Sequence, residues 1–126
     1  MIPRHQPVLY SVDLTDCRRI SSLSSEAVTA AFAEAMTNAG ATVVQAISHD
    51  FPGMGLTSVL ILAESHAVLH TWPETGMVNI DIFSCSPRLK SLSAIAALGE
   101  TLGASSSSIQ EIQRADGRCQ LADQHQ

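Results

Sequence analysis

Residues 8–14 alternate. Val8, Tyr10, Val12 and Leu14 are apolar, with polar or small partners between them, and that period of two predicts a first strand. Asp13 falls on the face opposite Val12 and reads as a solvated edge charge. The period then changes. After the serines of 21–25 and Glu26, the residues Val28, Ala31, Phe32, Ala35, Met36 and Ala39 recur at helical spacing, with Gly40 at the position that follows a helix end. The serines are natural N-caps, Glu26 suits a first turn, and Phe32 and Met36 read as core. Thr42 to Ser48 is β-branched enough for a second strand, and two glycines and a proline in His49 to Gly55 predict a loop. Ser58 to Ala63 has no polar residue after its first, which predicts a central strand buried on both faces. The segment after Ser65 is extended in character, and Met77 to Cys85 is another strand. Ser86-Pro87 reads as the N-cap and N1 pair of a second helix. Leu92, Ile95, Ala96, Gly99 and Leu102 carry that helix, which closes near Gly103. A polar linker, Ser105 to Ser108, precedes a short strand around Ile109 to Gln113, and the tail from Ala115 reads as loose. The order β-α-β-β-β-β-α-β predicts an α+β fold: a two-layer sandwich, largely antiparallel, with two helices on one face of the sheet.

Composition narrows the partners more than the fold. A chain of 126 residues is one domain, without repeats. With 45% hydrophobic and 15% charged residues it is globular rather than disordered. A formal charge of −5 supplies no basic footprint for nucleic acid. No apolar run approaches the roughly 20 residues of a membrane helix, and the start, Met1 to Pro7, lacks the apolar segment of a signal peptide. Cys17, Cys85 and Cys119 are odd in number and far apart, which suits a reducing cytoplasm better than a disulfide scaffold.

The chemistry is concentrated between two apolar runs. Ala63 to Glu74 holds Glu64-Ser65, the histidines His66 and His70, the only tryptophan, Trp72, and Pro73-Glu74. Buried polar groups cost free energy unless partnered, so this density points to a site, although a polar hairpin with a packed tryptophan fits the composition too. Ser65 and His70 are five apart, so an unbroken strand sends them to opposite faces. If both serve one site, the chain bends between them or the site straddles a strand end. His66 and His70 share a face, as do Asp81, Phe83 and Cys85. Several familiar chemistries fall away. Gly53 and Gly55 match no phosphate-cradling fingerprint, and Glu64-Ser65-His66 is not the glycine-flanked elbow of a serine hydrolase. His66 and His70 have zinc-like i, i+4 spacing only on a helix, and β-branched flanks with Pro73 oppose one, so no metal is expected.

Glu64-Ser65-His66, then His70-Thr71-Trp72-Pro73-Glu74, then Asp81 and Phe83-Ser84-Cys85, closely resemble the short prokaryotic S-adenosylmethionine decarboxylases, pyruvoyl enzymes of polyamine synthesis. The resemblance begins at the first strand and Cys17, includes His49-x-Phe51 and Gly55-Leu56-Thr57-Ser58, and weakens toward the second helix and last strand. It implies self-cleavage between Glu64 and Ser65 into chains 1–64 and 65–126. The serine hydroxyl attacks the Glu64 carbonyl, the amide becomes an ester, β-elimination cuts the chain, and hydrolysis leaves a pyruvoyl group derived from Ser65. A Schiff base conjugated to that group's carbonyl is the electron sink that decarboxylation needs. A serine hydroxyl is unreactive near neutral pH, so strain at the Glu64–Ser65 bond and a nearby base must help it.

By the same resemblance His70 takes a proton during processing, Thr57 supports it where the family usually has serine, and Cys85 reprotonates the product carbon. Phe51 stacks on the adenine and Glu74 grips the ribose hydroxyls. Histidine, cysteine and carboxylate chemistry is compatible with each role, while Cys85 and Phe51 also fit plain packing. The implied partners are a small-molecule substrate and the cleaved chains of one precursor, assembled as a cytoplasmic homodimer with sites near the interface. The product would supply aminopropyl groups for spermidine. Four departures from the family pattern stand out: Thr75 for a tyrosine, Ser86 for a glycine, Pro52 one place early, and Arg4-His5 at an unusual distance from the first strand. Several lie where a substrate would sit. They leave open the same chemistry on ornithine or arginine, and an uncleaved paralogue that binds or regulates without catalysis.

Overall fold

The computed structural model describes residues 6–115. Its order is β1 (Val8–Thr15), a single 3-10 turn (Ile20–Ser22), α1 (Ser25–Asn38), β2 (Val43–Phe51), β3 (Gly55–Leu62), β4 (Ser65–Trp72), β5 (Met77–Ser84), α2 (Ser91–Leu102) and β6 (Ser106–Gln113). The strands make one antiparallel sheet in the order β2-β3-β4-β5-β1-β6. Both helices cover one face, so the α+β two-layer sandwich is the observed architecture.

Local chemistry explains the helices. The Ser24 hydroxyl accepts from the Ala27 N–H at 3.0 Å and satisfies one of the free donors of the first turn of α1. Val28, Phe32, Ala35 and Met36 then point inward. α2 buries Ala94, Ile95, Leu98 and Leu102 and stops on Gly103, whose left-handed φ of 74° glycine adopts without strain. Against these stripes pack Val12, Leu14, Leu60, Ala67, Leu69, Val78, Ile80 and Ile82, all buried and all on the same side of the sheet.

The opposite face is bare of helices, and strand register sorts it into transverse rows. One row reads Gln45, Ile61, His66, Phe83, Leu9 and Ile112; the next Ile47, Val59, Val68, Asp81, Ser11 and Gln110; the third His49, Thr57, His70, Asn79, Asp13 and Ser108. Apolar side chains stay uncovered there: Ile47 is 51% exposed and Ile61 38%.

Four sequence expectations are corrected. β3 is not buried on both faces: Leu56, Ser58, Leu60 and Leu62 are buried and their alternates are not, the unbroken apolar run arising because the open face is apolar too. His49 to Phe51 are strand, and the β2–β3 connection is a tight turn at 52–54 closed by Met54 N–H on Phe51 C=O. Ser86 caps only a local turn, its hydroxyl accepting from Arg88 N–H at 3.1 Å, and α2 starts at Ser91. The serines 106–108 are strand, since the backbone of β1 pairs with them whatever their side chains. The tail beyond Ala115, Cys119 and Arg4-His5 lie outside the described residues.

Candidate active site

The β3–β4 hairpin turns on two residues, Ala63 and Glu64, with Leu62 and Ser65 paired across it. Two-residue hairpins favour positive φ at a central residue, which glycine or asparagine supplies. Neither is present in this turn, and Ser65, the first residue of β4, instead carries a φ of 154°. Among the described non-glycine residues only Asp16 shares a positive φ. Such a backbone costs on the order of 1–3 kcal/mol and persists only where its surroundings enforce it.

The enforcing groups are adjacent. The end of β5 brings Cys85 beside the turn, and its backbone N–H and its thiol both donate to the Glu64 carbonyl oxygen, at 3.4 and 3.6 Å. On the other side Thr42 N–H donates to Glu64 Oε1 at 3.1 Å, and Ala63 N–H donates to Thr42 C=O at 2.9 Å. Ser65 Oγ lies 3.5 Å from Nδ1 of His66. A strained serine thus follows a carbonyl that already receives two donors, the arrangement that stabilises negative charge on that oxygen during attack on its carbon. Cys85 is exposed, which excludes the reading of a buried packing residue.

A second group lies at the far end of β4. His70 pairs with Thr57 across β3 and with Asn79 across β5, and its Nδ1 is hydrogen-bonded to Thr57 Oγ1. The Trp72 ring sits 4.4 Å from His70 edge-on, the Phe51 ring 6.4 Å away, and His49 lies 4.4 Å from Phe51. Trp72 Nε1–H donates to Asn79 Oδ1 at 2.6 Å, and Asn79 Nδ2–H to Asp13 Oδ1 at 2.7 Å. Asp13 is therefore a member of this cluster on an interior strand, and not the edge charge its position suggested. Glu74 stands exposed in the turn at 73–76, two residues beyond Trp72. A cavity of about 220 Å³ opens beside Phe51 and Pro73 on the helix side of the same end, with Asp50 in its wall.

Within one chain the two groups stay apart. β4 is unbroken from Ser65 to Trp72, so five strand residues, about 16 Å, separate Ser65 from His70. Sequence parity put the two on opposite faces, and the register agrees: Ser65 pairs with the buried Leu62 and Ser84, His70 with Thr57 and Asn79 on the open face. It did not reveal Thr42, Asn79 or the Cys85–Glu64 contact, which depend on register and on loop packing.

A family model described as "S-adenosylmethionine decarboxylase" matches residues 9–115. The chain belongs to that family. Proteins named S-adenosylmethionine decarboxylase proenzyme are similar to it in Prochlorococcus marinus (36% identical, covering 82% of this chain and 82% of the relative) and Methanococcus aeolicus (34%, covering 82% and 88%). The one from Pseudomonas paraeruginosa is 32% identical over 84% of this chain and 66% of its own length. A crystal structure of the adenosylmethionine decarboxylase from Aquifex aeolicus superposes with a TM-score of 0.76 at 26% identity, over 90% of this chain and 93% of that one.

In this S-adenosylmethionine decarboxylase family member Cys17 is buried, with its backbone N–H donating to the Gly76 carbonyl at 2.7 Å. Burial pushes its thiol up to about 11, the neighbouring Asp16 adding to the effect, so it stays protonated. Among the described residues no group of three or more His, Cys, Asp or Glu could hold a metal, and no helix is long and apolar enough to cross a membrane.

Proposed function

We propose that this chain is a decarboxylase of S-adenosylmethionine that cuts itself between Glu64 and Ser65 and carries a pyruvoyl group made from Ser65. The observation that carries the reading is the Glu64 carbonyl: it takes two hydrogen bonds from Cys85 and precedes a serine in a strained backbone. Attack by Ser65 Oγ moves the acyl group from nitrogen to oxygen, and the charge that develops on the Glu64 oxygen falls where the Cys85 N–H and thiol already point. The hydroxyl proton and, later, the Ser65 Cα proton pass to a base; the former amide nitrogen stays on residue 65 through elimination and leaves as ammonia when water hydrolyses the imine form of the dehydroalanine to the ketone. Elimination frees Glu64 as the carboxylate end of residues 1–64. The pyruvoyl group, when present, supplies an electron sink for the carbanion left by carbon dioxide. Cys85 then faces the reacting carbon as its proton donor. Phe51 and Glu74 stand with His70 at the far end of β4, so in this reading the second copy that donates His70 also offers the Phe51 ring face to the adenine and the Glu74 carboxylate to the ribose hydroxyls.

His70 is the processing base, with Thr57 on its Nδ1, and it comes from a second copy. Two observations support a homodimer. His70 is about 16 Å along β4 from Ser65 in its own chain, and the open sheet face leaves Ile47, Ile61, Phe51 and Trp72 uncovered. A two-fold axis near the Val59–Val68 row lays the Thr57–His70 row of one copy over the Ser65 end of the other, which completes two identical sites. The product is an aminopropyl donor of the kind spermidine synthesis consumes, and the setting is cytoplasmic.

Intact-mass spectrometry tests the first step. Two fragments split before Ser65, the second blocked by a ketone, are expected, and one uncut chain after long incubation indicates the binding paralogue instead. Carbon dioxide release from S-adenosylmethionine, ornithine and arginine, assayed side by side, tests the substrate. Dominant release from either amino acid overturns that assignment.

A further inference from the structure

We infer that the Glu64 side chain, held on the backbone N–H of Thr42, is a positioning residue for the chain's own cleavage. The inference rests on the self-cleavage reading above. Thr42 lies between the end of α1 and the start of β2, 22 residues from Glu64 in sequence. It makes a reciprocal clasp with the turn: its carbonyl accepts from Ala63 N–H at 2.9 Å and its N–H donates to Glu64 Oε1 at 3.1 Å.

The Ala63 bond alone is a single pin, about which the Glu64–Ser65 peptide can rotate. The carboxylate is the second point, and bonds to an ionised acceptor are the stronger kind. With both in place the turn is fixed to the α1–β2 connection while Cys85 holds the Glu64 carbonyl from the opposite side. The peptide is then clamped across its length. The positive φ falls on Ser65 because no glycine in the turn can take it. Release of the carboxylate lets the Glu64 peptide swing, Ser65 regain an ordinary strand φ, and its hydroxyl drift from the carbonyl carbon. Such small misplacements of reacting atoms have large effects on rate.

The test follows cleavage of freshly synthesised full-length chain by intact mass over time. Glu64→Ala is expected to cleave about tenfold more slowly than wild type, equivalent to ~1.4 kcal/mol in the barrier. Glu64→Asp, which keeps the charge but withdraws the acceptor by one methylene, is expected to be equally slow. Glu64→Gln, which keeps an oxygen in place, is expected within about threefold of wild type, the conservative rescue that a clasp predicts. Melting midpoints, compared in the uncleavable Ser65→Ala background, are expected to agree to within about 2 °C for the Glu64 variants. Wild-type rates in Glu64→Ala or Glu64→Asp overturn the inference, and so does a Glu64→Gln chain as slow as Glu64→Ala. A Glu64→Ala chain that melts well below its parent also overturns it, because slow cleavage then reflects general loosening. An uncut wild-type chain sinks the self-cleavage reading together with this one, whereas a cut wild type with an equally fast Glu64→Ala sinks this one alone.

Discussion

Cys85 reaches the carbonyl oxygen of Glu64 with two donors at once, its backbone N–H at 3.4 Å and its thiol at 3.6 Å. Only the thiol depends on the side chain. Cys85→Ala is therefore expected to slow self-cleavage by about tenfold, less than the loss of a full oxyanion donor. Cys85→Ser keeps a donor and is expected to cleave within a few-fold of wild type, yet to decarboxylate at least ~100-fold more slowly for want of a thiol acid. Gel-resolved cleavage and carbon dioxide release, measured on the same preparations, check the split.

The proposal that a partner copy donates His70 has a sharper consequence. Ser65→Ala and His70→Ala chains are each expected to remain uncut alone, the second at least ~100-fold slower than wild type. Co-expressed, they are expected to pair, bringing the intact serine of the His70→Ala chain to the intact histidine of the Ser65→Ala chain. Cleavage of the His70→Ala chain in the mixture, read by mass, is expected. Its failure places the base within one chain.

Asn79 ties Trp72 to Asp13 in bonds of 2.6 and 2.7 Å. Asn79→Leu strands the indole N–H and frees a ring that packs on His70 beside Phe51. The expected result is a rise in KM of about tenfold for the substrate with kcat changed less, since a positioned aromatic contributes mainly to binding. Steady-state kinetics and the emission of the single tryptophan check it.

Cys17 gives a pH prediction whose sign is fixed by its environment. Its folded thiol is raised to about 11 from an ordinary value of 9.0, so folding favours the protonated form. The associated stability is present in full below pH 9 and is lost as pH rises toward 11. Cys17→Ala is expected to be less stable at neutral pH from lost packing, but to show a flatter decline across that alkaline window. Urea midpoints from pH 8 to 11 check both.

The alternation at Val8–Leu14 and the helical stripe from Val28 to Ala39 made the layers legible, because each has one buried face. Ser58–Ala63 misled because its outer residues, Val59 and Ile61, are also apolar, and an interface-like face erases the alternation that marks a half-exposed strand. The serines of β6 offered no pattern at all, since backbone pairing alone recruits them. The Glu64–Ser65–His66 and His70–Glu74 block pointed to the family, and parity put Ser65 and His70 on opposite faces. The contacts that shape the β3–β4 turn join residues about 20 apart in sequence, Glu64 with Thr42 and with Cys85, through hairpin register and a loop, and no local signal encodes them.

The strand order bears on what a cut at the β3–β4 turn would do. Residues 1–64 contribute β1, β2 and β3, and residues 65–126 contribute β4, β5 and β6, yet β1 is inserted between β5 and β6. Three of the five seams in the sheet, β3–β4, β5–β1 and β1–β6, therefore join one piece to the other. The pieces are interlaced like the fingers of two hands. A chain cut there would keep its shape, because no single ladder can be unzipped to let either half leave.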